Sequence, residues 1–133
     1  MEDPIELWHE CVRTKDFSLL DRLLADDVVF ESPVVFTPQR GKAITAGYLR
    51  AAAHVLGTGD FRYRNTWRSV SSAVLEFESA VDGIVVNGVD IITWNEAGKV
   101  THFKVMVRPL KAVNILHQKM AELLALAAAA KPA

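Results

Sequence analysis

The hydrophobic pattern of this chain changes period at Gly57-Thr58-Gly59. Before that point apolar residues recur every three to four positions, the spacing of amphipathic helices, and after it they alternate, the spacing of strands with one buried face. Helices come first, a run of strands follows, and a last helical stripe begins at Pro109. That order predicts an α+β fold with the helices gathered on one side of a largely antiparallel sheet.

The individual elements follow from local signals. Asp3-Pro4 starts a first helix carrying Ile5, Trp8, Cys11 and Val12 on one side, since proline is tolerated at the first helical position. A second, short helix runs through Phe17, Leu20, Leu23 and Leu24 with Asp16 or Ser18 as N-cap, and ends near Ala25-Asp26-Asp27. Val28 to Pro38, VVFESPVVFTP, is β-rich but broken by Pro33 and closed by Pro38, which predicts short strand pieces at a sheet edge. A third helix spans Gly41 to Leu56 with Ile44, Tyr48, Ala52 and Val55 along one side.

Three alternating segments then follow, FRYRNTWRSV, AVLEFESAV and GIVVNGVDIITW, separated by Ser71-Ser72 and Asp82-Gly83. Asn95-Glu96-Ala97-Gly98 turns the chain into a last strand, Lys99 to Arg108. The closing helix places Leu110, Val113, Leu116, Met120, Leu123 and Ala127 in a stripe, and Lys131-Pro132-Ala133 are expected to fray. That stripe can pack on its own sheet, plug a pocket mouth or join a dimer.

With 133 residues, no repeat and no linker, the expectation is a single domain over residues 1–133. A net charge of −1 gives no reason to expect a polyanion partner, and RYRNTWR reads as a strand with a solvated basic face in place of a nucleic-acid platform. The N-terminus lacks the basic and apolar regions of a signal peptide, no stretch reaches ~18 uncharged apolar residues, and the lone Cys11 suits a reducing compartment. The protein is therefore expected to be cytoplasmic, away from membranes. The four histidines lie in separate elements without a metal-ligand pair, and GTGDFR lacks the third glycine of a phosphate loop, so neither a metal site nor a cofactor site is expected.

Two segments carry a family resemblance: LLADDVVFESPVVFTPQRGKAITAGYL, Leu23 to Leu49, and VDIITWNEAGKVTHFKVMV, Val89 to Val107. In order and spacing they resemble the NTF2-like superfamily, which includes ketosteroid isomerases, scytalone dehydratase and SnoaL-like polyketide cyclases. The resemblance implies a cone, in which a curved antiparallel sheet wraps around the N-terminal helices with an extra C-terminal helix, an apolar pocket open at one end, and homodimers formed through the outer face of the sheet. It does not fix a reaction, because the superfamily hosts enzymes, binding proteins and transport factors alike.

Against the ketosteroid isomerases, Asp90 matches the place of the protonated aspartate, the base position falls on Ser32, and the tyrosine of the first helix falls on Trp8. Serine is no base at neutral pH and tryptophan only donates, so two of three roles are missing. Glu31 replaces the base only if Pro33 or a bulge re-aims it. Asp90 is thus the one catalytic candidate, with Tyr48, Tyr63 or His54 as partners, and any enzyme would be a cofactor-independent isomerase, dehydratase or cyclase.

The face of Asp90 depends on hairpin register. A four-residue loop pairs it with Phe103 and leaves Val105 and Val107 inside; a three-residue loop pairs it with Lys104 as a surface ion pair. The first register is adopted here. It makes Asp90 the polar handle of a pocket for a hydrophobic or aromatic small molecule. Trp8, Phe30, Tyr48, Tyr63 and Trp67 supply aromatic walls, with Ser32, Ile92, Trp94, Phe103, Val105 and Val107 beside them. The competing expectation is an interaction module whose cone is filled by these same side chains.

Overall fold

The computed structural model describes residues 2–58 and 60–130; Gly59 of the helix stop and the tail expected to fray lie outside them. Helix α1, Pro4–Thr14, is capped by the Asp3 carboxylate, which accepts from the Ile5 amide, and ends where Lys15 turns left-handed. A 3-10 turn at Phe17–Leu19, capped by Asp16, leads into the one-turn α2, Leu20–Leu23. The strand β1, Leu24–Glu31, begins immediately, so Leu24 to Asp27, expected as a helix end, are extended.

Strand β2 is only Gln39–Arg40, followed by helix α3, Lys42–Leu56. Gly41, at φ 111°, makes the turn into α3, a backbone angle that residues with a Cβ rarely adopt. Strands β3 (Arg62–Arg68), β4 (Ser72–Val81), β5 (Ile84–Trp94) and β6 (Val100–Arg108) follow the predicted segments closely, and α4 covers Leu110–Ala130.

The six strands form one curved sheet in the order β2-β1-β6-β5-β4-β3. All neighbours are antiparallel except β1 and β6, which run parallel. The sheet is therefore mixed, and β1 lies inside it between β2 and β6, where a sheet edge was expected. Pro33 ends β1 as anticipated, but the edge position falls to the two-residue β2.

One face of the sheet carries the helices. Along β4 and β5 burial alternates strictly, and the inward residues Leu75, Phe77, Val86 and Ile92 are all but inaccessible. Under α1 they join Trp8, Cys11, Leu23, Phe30 and Phe103; under α4 they join Leu56, Ala112 and Leu116. Burial raises the Cys11 thiol to about 11, which leaves it an inert core residue.

The α3 stripe is rotated from its expected position, while that of α4 holds in its middle. In α3 the buried residues are Thr45, Leu49, Val55 and Leu56, with Ile44 at the rim; in α4 Leu116 is buried with Met120 and Leu123 packed beside it as expected, Ala112 joins them, and Leu110 is exposed. Of the three roles open to α4, it packs on its own sheet and against α3. Among the described residues no helix is long and apolar enough to cross a membrane.

Candidate active site

Asp90 projects from the middle of β5 onto the helix-bearing face and is only 6 % exposed. Its cross-strand partner on β6 is Val105, neither of the two residues expected. The reason lies in the hairpin. Asn95 Oδ1 accepts from the amides of Ala97 and Lys99, Gly98 turns left-handed at φ 75°, and one further residue, Thr101, bulges between the pairs Thr93 with His102 and Trp94 with Val100. The pairing moves by two residues from the adopted register. A shift of two preserves the face, so Phe103, Val105 and Val107 still point inward and His102, Lys104 and Arg108 outward.

The Asp90 carboxylate is held by a chain of two hydrogen bonds. Tyr63 Oη, from β3, donates to Asp90 Oδ2 at 2.6 Å, and Trp8 Nε1, from α1, donates to Tyr63 Oη at 2.8 Å. Burial pushes the carboxyl up to about 7, against a smaller downward pull from the Tyr63 bond. Burial, reinforced by the Asp90 charge, raises the Tyr63 phenol well above its usual value, so Tyr63 is a neutral donor. When ionised, Asp90 accepts; when protonated, it offers an acidic O–H.

Beside this chain lies a cavity of about 550 Å³ lined by Trp8, Tyr63, Asp90, Phe103 and Val105, together with residues that the sequence reading did not nominate. Phe77 and Phe61 stack at 5.5 Å on its wall, and Phe61 meets Tyr63 edge-on at 5.1 Å. Phe77 was legible in principle, because alternation puts it on the face of Leu75. Lys15, Phe17 and Arg50 also border it, brought there from the end of α1, the 3-10 turn and α3 with no local signal to mark them, and so does His54, one of the partners named for Asp90.

The remaining nominated residues fall elsewhere. Phe30 and Tyr48 stack at 5.4 Å and, with Ser32, line a second cavity of about 190 Å³ beneath α4; Val105 borders both cavities. Ser32 Oγ accepts from the amides of Val34 and Val35, closing the turn after β1. Glu31 points to the outer face, where it pairs with His102 and Lys104, and the His102 bond leads in holding its carboxyl below the usual range. Neither residue stands beside Asp90.

Trp67 is on the outer face as well, 56 % exposed. Strand β3 carries an extra residue, Arg64, between the pairs Tyr63 with Phe77 and Asn65 with Glu76, which reverses the alternation. Trp67 then sits opposite the outward Val74 while Tyr63 stays inside. Ile92 and Trp94 are inward but line neither cavity: both join the solid core cluster that includes Ile5, Leu7 and Trp8 of α1, and Arg68 lies over the Trp94 ring at 5.8 Å. Val107 packs in the cluster under α4. Among the described residues no three or more His, Cys, Asp or Glu side chains group as metal ligands.

A family profile described as a SnoaL-like domain matches residues 5–103. No curated protein matches the chain. Among solved structures the chain is similar to a steroid delta-isomerase from Pseudomonas aeruginosa, with 33 % identity over 96 % of this chain and 93 % of that one and a TM-score of 0.90. It is also similar to an uncharacterised bacterial protein with a cystatin-like fold from Silicibacter pomeroyi DSS-3, with 34 % identity, coverage of 92 % and 85 %, and a TM-score of 0.84. An NTF2-like protein of unknown function from Mesorhizobium loti, at 18 % identity, coverage of 80 % and 88 % and a TM-score of 0.69, shares the fold. A profile match across most of the chain, together with a fold shared along nearly its whole length, makes this protein a member of the SnoaL-like family within the NTF2-like superfamily.

Proposed function

We propose that the protein binds a hydrophobic or aromatic small molecule in the larger cavity, with Asp90 as its polar handle. The observation that carries this reading is a single carboxyl, anchored by Tyr63 and Trp8, on the wall of an otherwise mostly aromatic and aliphatic hollow of about 550 Å³. A hollow of that size favours a binder over a module whose cone is filled by its own side chains. The test is a calorimetric screen of apolar ring compounds that carry one hydroxyl, carbonyl or amide. Binding that weakens about tenfold or more in Asp90→Asn, the loss expected for one buried charge-assisted hydrogen bond, supports the proposal. Binding indifferent to that substitution counts against it.

A second reading, a lyase or isomerase that uses Asp90 as acid or base, is favoured by a carboxyl titrating near neutrality beside a phenol, the range where a group both takes and gives a proton. The similarity to a protein named steroid delta-isomerase points the same way. A separate base at the Ser32 position plays no part in this reading, since Ser32 lies in the other cavity. Solvent deuterium entering a bound ketone next to its carbonyl, abolished by Asp90→Asn, would establish catalysis; binding without exchange leaves the binder.

Association into a homodimer through the outer sheet face is also proposed, on the exposed Trp67, Val85 and Met106. Light scattering of wild type against Met106→Glu tests it, with a halved mass expected for the variant.

A further inference from the structure

The exposed residues on the lining of the larger cavity, which mark its mouth, are basic side chains. Lys15 follows α1, while Arg50 and His54 lie one turn apart on α3, and all three border the same cavity as Asp90. Among the described residues Lys15 and Arg50, like Arg13, Arg40, Arg62, Lys99, Arg108 and Lys111, are in no salt bridge, but only Lys15 and Arg50 of these border the cavity. Lys15 Nζ makes a single bond of 3.3 Å to the Gly57 carbonyl and keeps donors to spare.

Among the described residues Asp90 is the only carboxylate lining the cavity; Asp16, next to Lys15 in sequence, lies outside that lining and accepts from the amide and hydroxyl of Ser18. Helix macrodipoles account for part of the arrangement, since cations favour helix C-termini, but Arg50 sits well back from the end of α3, beyond the reach of that effect. Two unpaired cations at the rim of an apolar hollow match an anion tethered to an apolar body.

We infer that the natural ligand is an amphipathic acid: an apolar ring body filling the cavity, a hydrogen-bonding atom at Asp90, and an anionic group at the mouth held by Arg50 and Lys15. This rests on the binding reading given above and names the ligand class for it. Arg50 is the principal anchor, because its planar guanidinium binds a carboxylate, sulfate or phosphate through two parallel bonds.

Two fluorescent probes that share an aromatic body test the inference, the anionic 8-anilinonaphthalene-1-sulfonate and the neutral N-phenyl-1-naphthylamine. Wild type is expected to bind the sulfonate about tenfold more tightly, the sum of two partly exposed ion pairs. That preference should fall toward unity in Arg50→Gln/Lys15→Gln and in ~0.5 M salt, while the neutral probe is unaffected. An equal affinity for both probes in wild type overturns the inference, as does an equal loss for both in the double variant, which would make the basic residues structural. Filling the cavity by Ala53→Phe or, separately, Val105→Phe should abolish binding of both. If either filled variant, shown folded by its thermal melt, binds both probes unchanged, or if wild type binds neither, the cavity reading itself fails and the inference with it.

Discussion

Asp90 concentrates the chemistry of the molecule because its neighbours remove water without supplying a cation. Its carboxyl is raised from the ordinary value near 3.8 to about 7, so between those pH values the folded chain holds a proton that the unfolded chain has released. The sign follows directly: stability falls as pH rises across that interval, by about 1.4 kcal/mol per unit, and levels off above the folded value. Asp90→Asn removes this dependence. Its melting temperature is expected to match wild type near pH 3, below the unfolded value, and to exceed it by a growing margin up to pH 7–8, read by thermal melts across the range. Tyr63→Phe should raise the carboxyl further, since the lost hydrogen bond favours the charged form, and should cost about 1–3 kcal/mol because the Trp8 indole N–H is left without its acceptor. Carboxyl titration and denaturant melts check the two effects.

At the scale of elements, single-residue bulges decide which side chains reach the cavity. Period-two reading recovered β3 to β6 nearly to the residue, yet it cannot see an inserted residue, because a bulge is set by pairing with the neighbouring strand and leaves no mark in the local pattern. The Arg64 bulge turned Trp67 outward, and a hairpin loop one residue longer than expected together with the Thr101 bulge moved the partner of Asp90 from Phe103 to Val105 without changing its face. Two substitutions separate the faces. Trp67→Ala should change stability by less than about 0.5 kcal/mol in a monomer, as expected for an exposed position, whereas Trp8→Ala, at a buried one, should cost about 3–5 kcal/mol. Denaturant midpoints of both, taken at low protein concentration, check this. Comparable losses would place Trp67 inside.

Across the whole molecule, the architecture was legible through the change of period and through two segments whose order resembles a known superfamily. The parallel pairing of β1 with β6 and the mixed sheet were not, since nothing in the local pattern reports which distant strands meet. The site was half legible. Asp90, Tyr63, Trp8, Phe103 and Val105 gather around one cavity, but the hollow is an absence of side chains that no single segment encodes, and Lys15 and Arg50 reach its mouth from separate helices. The position of α4, which closes the lower core through Ala112 and Leu116, was left open by its stripe. Leu116→Ala should cost about 2–5 kcal/mol, measured by denaturant unfolding, if that helix is part of the fold.

The account depends on Asp90 standing in a dry hollow with only Tyr63 for a partner. Carbon-13 NMR titration of the aspartate side-chain carboxyls, with the Asp90 signal assigned by its loss in Asp90→Asn, tests this most directly. A midpoint close to 7 that moves when an apolar ligand binds is the predicted result. A midpoint near 4, unmoved by any ligand, would place the carboxyl in water and contradict it.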